Sequence, residues 1–403
     1  MHRLRHRRDG SLSKGELSSS FKRDGKFWYV ASQLGIIGLF MGGFGPAQPL
    51  LQSDQGTSGL VAGLHGTALG LSGLIAGQFN ARMVHRFGRF TTSWIGMAVF
   101  LFGVSSIAIL DRPFLTITAA AFAGFGITTM INNSVTFLND SHPEHSAIAI
   151  SQANGFNSTM YLLGTIFIGT LASLGWGWRW GLLITLPLAL LAFLYSKDHR
   201  GEIHEIDDAG PQRGRLSKRY WIGWIGFTFA ISAEFSTVFW AAKLLGDRFD
   251  LSSGSATTAV LCFAAGMALG RWFGVSTLRA IDIDPRTLFF VTLQLVGFLL
   301  FWQVENLALA LIGLFATGLG ASAQFTLFST RLIRFASDKP DLAIGISAWG
   351  AGLAIGFAPF LVGALSDHVG IYTAYWVVPI CIILAGLTLL VRSDHTPSRH
   401  FSS

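Results

Sequence analysis

Long apolar runs recur from Phe27 to Val391, each about as long as the roughly 20 residues a helix needs to cross some 30 Å of hydrocarbon. Lipid offers the backbone no hydrogen-bonding partner, so each run must satisfy its own N–H and C=O groups, and a helix is the element that does so. Composition supports this reading. Only 13% of the 403 residues are charged, against about 25% in soluble domains, and mean hydropathy is +0.50. The first run is too long and too well followed by others to be a cleaved signal, and it reads as a spanning helix.

Twelve spans follow. Helix 1 is expected near Phe27–Leu51, helix 2 near Thr57–Ala81, helix 3 near Thr91–Leu110 and helix 4 near Phe114–Leu138. Helices 5 and 6 are expected near Ala147–Leu174 and Trp180–Ser196, helix 7 near Tyr220–Leu245, helix 8 near Gly254–Val275 and helix 9 near Thr287–Gln303. Helices 10, 11 and 12 are placed near Leu307–Thr330, Leu342–Leu365 and Ile371–Val391. The fold class is thus an all-α membrane protein.

An even number of crossings puts both termini on one side, and charge selects it. With a cytoplasmic N-terminus, only Arg112, Arg179, Lys243 and Arg248 of the 29 lysines and arginines fall outside. The cluster Arg3, Arg5, Arg7, Arg8, Lys22, Arg23 and Lys26 lies inside, where it suits anionic lipid. Aromatic interleaving and a folded basic domain are missing, so nucleic acid is not an expected partner. Cys262 and Cys381 both lie within apolar runs, which implies no disulfide framework.

The chain carries an internal echo. Gly73-Leu-Ile-Ala-Gly77 is followed nine residues on by Arg86, and Gly266-Met-Ala-Leu-Gly270 by Arg279. Ala147-Ile-Ala-Ile-Ser151 opens helix 5, and Ala343-Ile-Gly-Ile-Ser347 opens helix 11, six helices later. Between the halves, residues 197–219 mix acidic and basic groups around Gly210-Pro211 and cannot bury a core. The expected organisation is a basic tail (1–26), a six-helix bundle (27–196), a linker (197–219), a second bundle (220–391) and a short tail (392–403). Parallel repeats of this kind place a transport site near the bilayer midplane between halves.

With the charged central loop and Arg86-Phe87-Gly88-Arg89 after helix 2, this pattern resembles the major facilitator superfamily of secondary transporters over nearly the whole chain. Gly177-Trp178-Arg179-Trp180 and Gly363-Ala-Leu-Ser-Asp367-His-Val-Gly370 are similar to stretches that recur there. His85 stands where that superfamily usually has Asp. The Arg of helix 4 and the Gly-Pro pair of helix 5 that mark drug/proton antiporters are missing. The Glu of helix 7, the Gly-Met-Ala-Leu-Gly-Arg of helix 8 and the Asn-rich region of helices 4 and 5 are similar to bacterial permeases of the fucose permease kind.

Individual residues then suggest the chemistry. Glu234 is the one carboxylate well inside a span, where insertion of a charge costs about 2.5 kcal/mol or more, so it is a candidate to take up and release a proton. His65 in helix 2 is a second candidate for proton coupling, with a hydrogen-bonded packing histidine as the alternative. No second ligand stands at metal-binding spacing along that helix. Asn154, Ser158, Tyr161 and Thr165 share a face of helix 5, flanked by Asn157, and helix 4 adds Asn132, Asn133 and Thr136. These can line a cavity or hydrogen-bond helices together. Gln324, Trp240 and Trp349 are expected to close the cavity from the second half.

Gating is assigned to Arg86, Arg89 and Arg271, the last expected near the inner face, and to Pro46 and Pro49, which with Gly42, Gly43 and Gly45 break the outer half of helix 1. No P-loop, Ser-His-Asp set or zinc signature is present, so neither an ATP-driven pump nor an enzyme is expected, and no cofactor. The reading is a monomeric proton-coupled transporter of a small polar organic solute in a bacterial cytoplasmic membrane. An exporter of metabolites or drugs and a non-transporting receptor are the alternatives.

Overall fold

The computed structural model describes residues 21–142, 145–196, 214–274, 278, 281–336 and 339–393. The clustered Arg3, Arg5, Arg7 and Arg8, most of the linker and Arg279 lie outside them. Every regular element among the described residues is helical. We number the crossings α1–α12. The first half comprises α1 (Gly25–Phe44, extended by Gln48–Gln55), α2 (Gly59–Phe87), α3 (Arg89–Ile109), α4 (Pro113–Ser141), α5 (Ser146–Ser173) and α6 (Trp178–Gly181 and Thr185–Tyr195, joined by a 3-10 turn). The second comprises α7 (Lys218–Phe249), α8 (Ser253–Ala259 and Leu261–Leu269, ending in a π turn Gly270–Gly274) and α9 (Ile283–Gln303). It continues with α10 (Leu307–Ala321 and Gln324–Ala336), α11 (Pro340–Ala374, broken at Gly370) and α12 (Val377–Leu387). Ten of the described helices are long and apolar enough to cross a membrane.

Helix starts follow local chemistry. The side chains of Asp24, Ser58, Ser217 and Asn306 accept the first free N–H groups of α1, α2, α7 and α10. The second helix outruns its expected end at Ala81 and reaches Phe87, so Arg82 and Arg86 are helical. It turns at Gly88, whose φ of 77° suits a residue without Cβ. The first helix breaks between Phe44 and Gln48, where the Gly45-Pro46 pair removes a ladder bond, and Pro49 lies in the first turn of the extension.

Packing repeats between the halves. In the first, α1 packs on α5, α2 on α4 and α3 on α4. In the second, α7 packs on α11, α8 on α10 and α9 on α10. The duplicated glycines serve this arrangement: Gly73 lies against Thr128 of α4, and Gly266 against the backbone of Phe315 on α10. One buried apolar cluster belongs to the first half, including Phe40, Phe100 and Met130. Another belongs to the second, including Phe227, Phe298 and Tyr375.

Candidate functional site

Two helix pairs make most of the contact between the halves, α2 with α11 and α5 with α8. We call the side of the termini the terminal side and the other the far side. On the far side the halves are tightly joined. Gly59 and Leu60 at the start of α2 donate their N–H groups to Asp367 of α11, at 2.7 and 2.8 Å. This carboxylate takes orphan donors at the positive end of a helix. Deeper in, Gly63 lies against Phe360 and Gly70 against Gly352 and Gly356, while Gly254 of α8 abuts Ser173 of α5. Toward the terminal side the interface opens: a side chain at Gly77 or Gly345 would meet nothing within 4 Å, and Asn154 is exposed.

Glu234, 8% exposed, stands near the middle of α7. Its Oε1 is 3.9 Å from Nη2 of Arg271. That separation makes an ion pair but no hydrogen bond. The other amino group, Nη1, crosses to the first half and donates to Ser158 Oγ at 3.0 Å. Ser158 in turn donates to the Asn154 carbonyl at 2.9 Å. Arg271 and Trp272 belong to the π turn, whose wider winding presents both to α5. There the Trp272 indole N–H donates to Thr159 at 3.3 Å and its ring covers Gly155. Tyr161, one turn beyond Ser158, lies in the field of both charges. Arg271 is thus engaged both with Glu234 of its own half and with Ser158 of the other. A guanidinium with a carboxylate in reach is stabilised by pairing where low dielectric makes an unpaired charge expensive.

The remaining expected residues separate into three groups. Asn154 and Trp349 are exposed, Trp349 by 47%. Several others hold helices together within one half. Asn157 donates to the Leu34 carbonyl of α1 at 2.6 Å, and Asn133 to Asn80 of α2 and to Thr129 O, both at 2.8 Å. Asn132 differs: it is half-buried on α4, where its main-chain carbonyl accepts from Thr136 of the same helix at 3.0 Å. Trp240, fully buried, donates to Pro359 O on α11 at 2.8 Å, and Gln324 donates to Gln294 on α9 at 2.7 Å. These last two pack inside the second half and close no cavity.

His65 is fully buried inside the first half. Its Nδ1 is 3.1 Å from Ala62 O and its Nε2 2.8 Å from the Thr116 hydroxyl of α4, a pattern that suits a neutral packing imidazole. It does not meet Glu234. Arg89 approaches Asp140 at 4.0 Å, tying α3 to α4, and the exposed Arg86 lies over the Phe87 ring. Pro46 and Pro49 shape the far-side break in α1. A groove of about 410 Å³ between α1, α5 and α6, lined by Trp28, Phe156, Met160 and Leu191 among others, is apolar and separate from the Glu234 site.

The profile of the Major Facilitator Superfamily matches residues 30–302 and 278–403. The chain belongs to the major facilitator superfamily. No curated protein sequence matches it. Among solved structures it is similar to the nucleoside transporter NupG (D323A mutant), at TM-score 0.69 and 13% identity, covering 91% of this chain and 99% of that one. It is also similar to FucP in an outward conformation (TM-score 0.65, 13% identity, 92% and 100% covered). A bacterial homologue of the human lysosomal transporter Spinster, inward-facing and occupied, gives TM-score 0.65 and 14% identity, with 91% and 93% covered. Superfamily members are secondary transporters and not enzymes. In folds of parallel repeats the solute site lies near the midplane between halves.

Several structural contacts left no sequence signal. Arg331, fully buried in α10, pairs with Asp284 at 2.7 Å, and Asp284 also accepts from the Ser393 N–H at 2.7 Å, which staples α9, α10 and the end of the α12 region. On the far side Arg179 binds Asp54, Asp111 and the Leu110 carbonyl. Asp367 was readable as part of a recurrent stretch, but its contact with α2 was not.

Proposed function

We propose that this superfamily member is a proton-coupled transporter of a small polar organic solute, driven by Glu234 as the two halves rock about the site. The observation that carries the reading is the Glu234–Arg271 pair beside the inter-half contact to Ser158. A carboxylate that deep must be paired or protonated, so its proton occupancy and the disposition of the halves are linked. Asn154 and Tyr161 supply polar groups beside the pair, and Trp349 is the aromatic candidate for the second half. Asp367 on α11 acts as the far-side latch. The positive charges support cytoplasmic termini and hence an opening toward the cytoplasm in the state described, and the protein is read as a monomer in a bacterial inner membrane.

Purified protein in liposomes, supplied with pooled labelled metabolites, tests this. Accumulation of a solute against its gradient under an imposed pH gradient, lost when the gradient is collapsed, is the expected result. Equal flux with and without the gradient would leave facilitated diffusion.

A further inference from the structure

The charge of the site follows from few groups. From α8 it is faced by Arg271, from α5 by the phenol of Tyr161, and from α7 by Glu234 itself. Among the described residues, the other ionisable groups named on neighbouring helices are engaged elsewhere. His65 of α2 bonds inside the first half, Arg331 of α10 pairs with Asp284 on the terminal side, and Asp367 of α11 caps α2 on the far side. On α7, Lys243 pairs with Asp247 at 3.3 Å, nearer the far side. Charge at the site is therefore the sum of Glu234 and Arg271.

We infer that the solute is an organic anion of the carboxylate class, carried with one proton, with Arg271 holding the anion and Glu234 the proton. The inference rests on the proton-coupled reading above and names its solute. With the site empty, ionised Glu234 and Arg271 cancel. Protonating Glu234 alone strands a positive guanidinium at mid-membrane, which is costly. A neutral solute does not remove that charge and a cation doubles it. A monoanion restores neutrality, so the empty and the loaded site each carry no net charge and can both pass through an occluded state.

The geometry suits such an exchange. At 3.9 Å Glu234 makes no hydrogen bond to Arg271, and among the described residues Ser158 is the one hydrogen-bond acceptor recorded for the guanidinium. Its Nη2 and Nε are left to offer the paired N–H geometry that a carboxylate accepts. The Arg271 side chain is 27% exposed, against 11% for Glu234, so an arriving anion meets the guanidinium first.

The class of solute can be tested before any one compound is identified, with a small-metabolite extract of the expression host split by ion exchange into anionic, neutral and cationic fractions. Binding is read as the rise in Tm of the purified full chain at pH 5.5 and pH 8. The anionic fraction is expected to raise Tm, more at pH 5.5. Arg271→Gln should weaken the response about tenfold or more in the concentration required, and Arg271→Lys, which keeps the charge, should retain part of it and so excludes misfolding as the cause. Stabilisation by the neutral or cationic fraction alone, or none by the anionic fraction, overturns the inference. The underlying proton reading fails separately: Glu234→Gln should bind the anionic fraction alike at both pH values, and a variant that keeps the wild-type pH dependence contradicts it.

Discussion

Nη2 of Arg271 stands 3.9 Å from Oε1 of Glu234 while Nη1 of the same guanidinium donates to Ser158 at 3.0 Å. One side chain thus joins a charge pair in the second half to the middle of α5 in the first. Any change in the protonation of Glu234 alters the field holding Arg271, and Arg271 is itself a tie between the halves. In the function proposed above, this is the physical form that coupling between proton and conformation takes.

Two asparagines three residues apart on α5 should behave differently. Asn157 is bonded to the Leu34 carbonyl, so Asn157→Leu should lower stability by about 1–2 kcal/mol, as for an interhelical hydrogen bond in a membrane protein. Exposed Asn154 should tolerate Leu within about 0.5 kcal/mol but bind solute more weakly. Unfolding curves and solute titrations on the same preparations separate the two effects. The opposite assignment would place Asn157 in the cavity.

The far-side latch can be tested by spectroscopy. Asp367→Ala removes two hydrogen bonds to a carboxylate and should destabilise the far-side-closed state by about 2 kcal/mol or more, roughly a thirtyfold shift in the equilibrium. Pulsed dipolar distances between spin labels at Ser53 and Val369 should then show a longer population, with Asp367→Asn intermediate. An unchanged distribution would mean that the apolar contacts of α2 with α11 suffice for closure.

The expected fold was legible because its signals are collective: run length, charge asymmetry and echoes six helices apart each sum over many residues. Glu234 and Arg271 were legible as ionisable groups within or at the end of apolar helices. Their pairing was not, because it depends on the π turn at Gly270–Gly274, for which the sequence carries no local mark. Gln324 and Trp240 were misplaced for a related reason. A polar atom on a spanning helix must find a partner, but sequence does not say whether that partner lies between the halves or, as for Gln294 and Pro359, inside one of them.

Removing Asp284 should expose how much depends on the buried Arg331. Asp284→Ala leaves a fully buried guanidinium without its carboxylate and should cost about 3–5 kcal/mol, whereas Asp284→Ala with Arg331→Met should recover much of that loss. Thermal unfolding in detergent gives both values. A double variant no more stable than the single one would indicate that the Arg331 bond to the Val391 carbonyl carries the staple.

Orientation follows from the distribution of lysine and arginine. A cysteine placed at Asp250 should be labelled in intact cells by an impermeant thiol reagent, and one at Gly210 only after permeabilisation. Labelling at Gly210 alone would invert the protein.

The most direct test of the central claim is Glu234→Gln, which mimics the protonated carboxyl while keeping size and hydrogen bonding. In liposomes the variant should exchange labelled for unlabelled solute at close to the wild-type rate, since exchange needs only the loaded form to alternate. It should fail to accumulate solute under a pH gradient, because no proton is released on the alkaline side. Accumulation with the wild-type response to pH in this variant would show that Glu234 does not couple transport to protons.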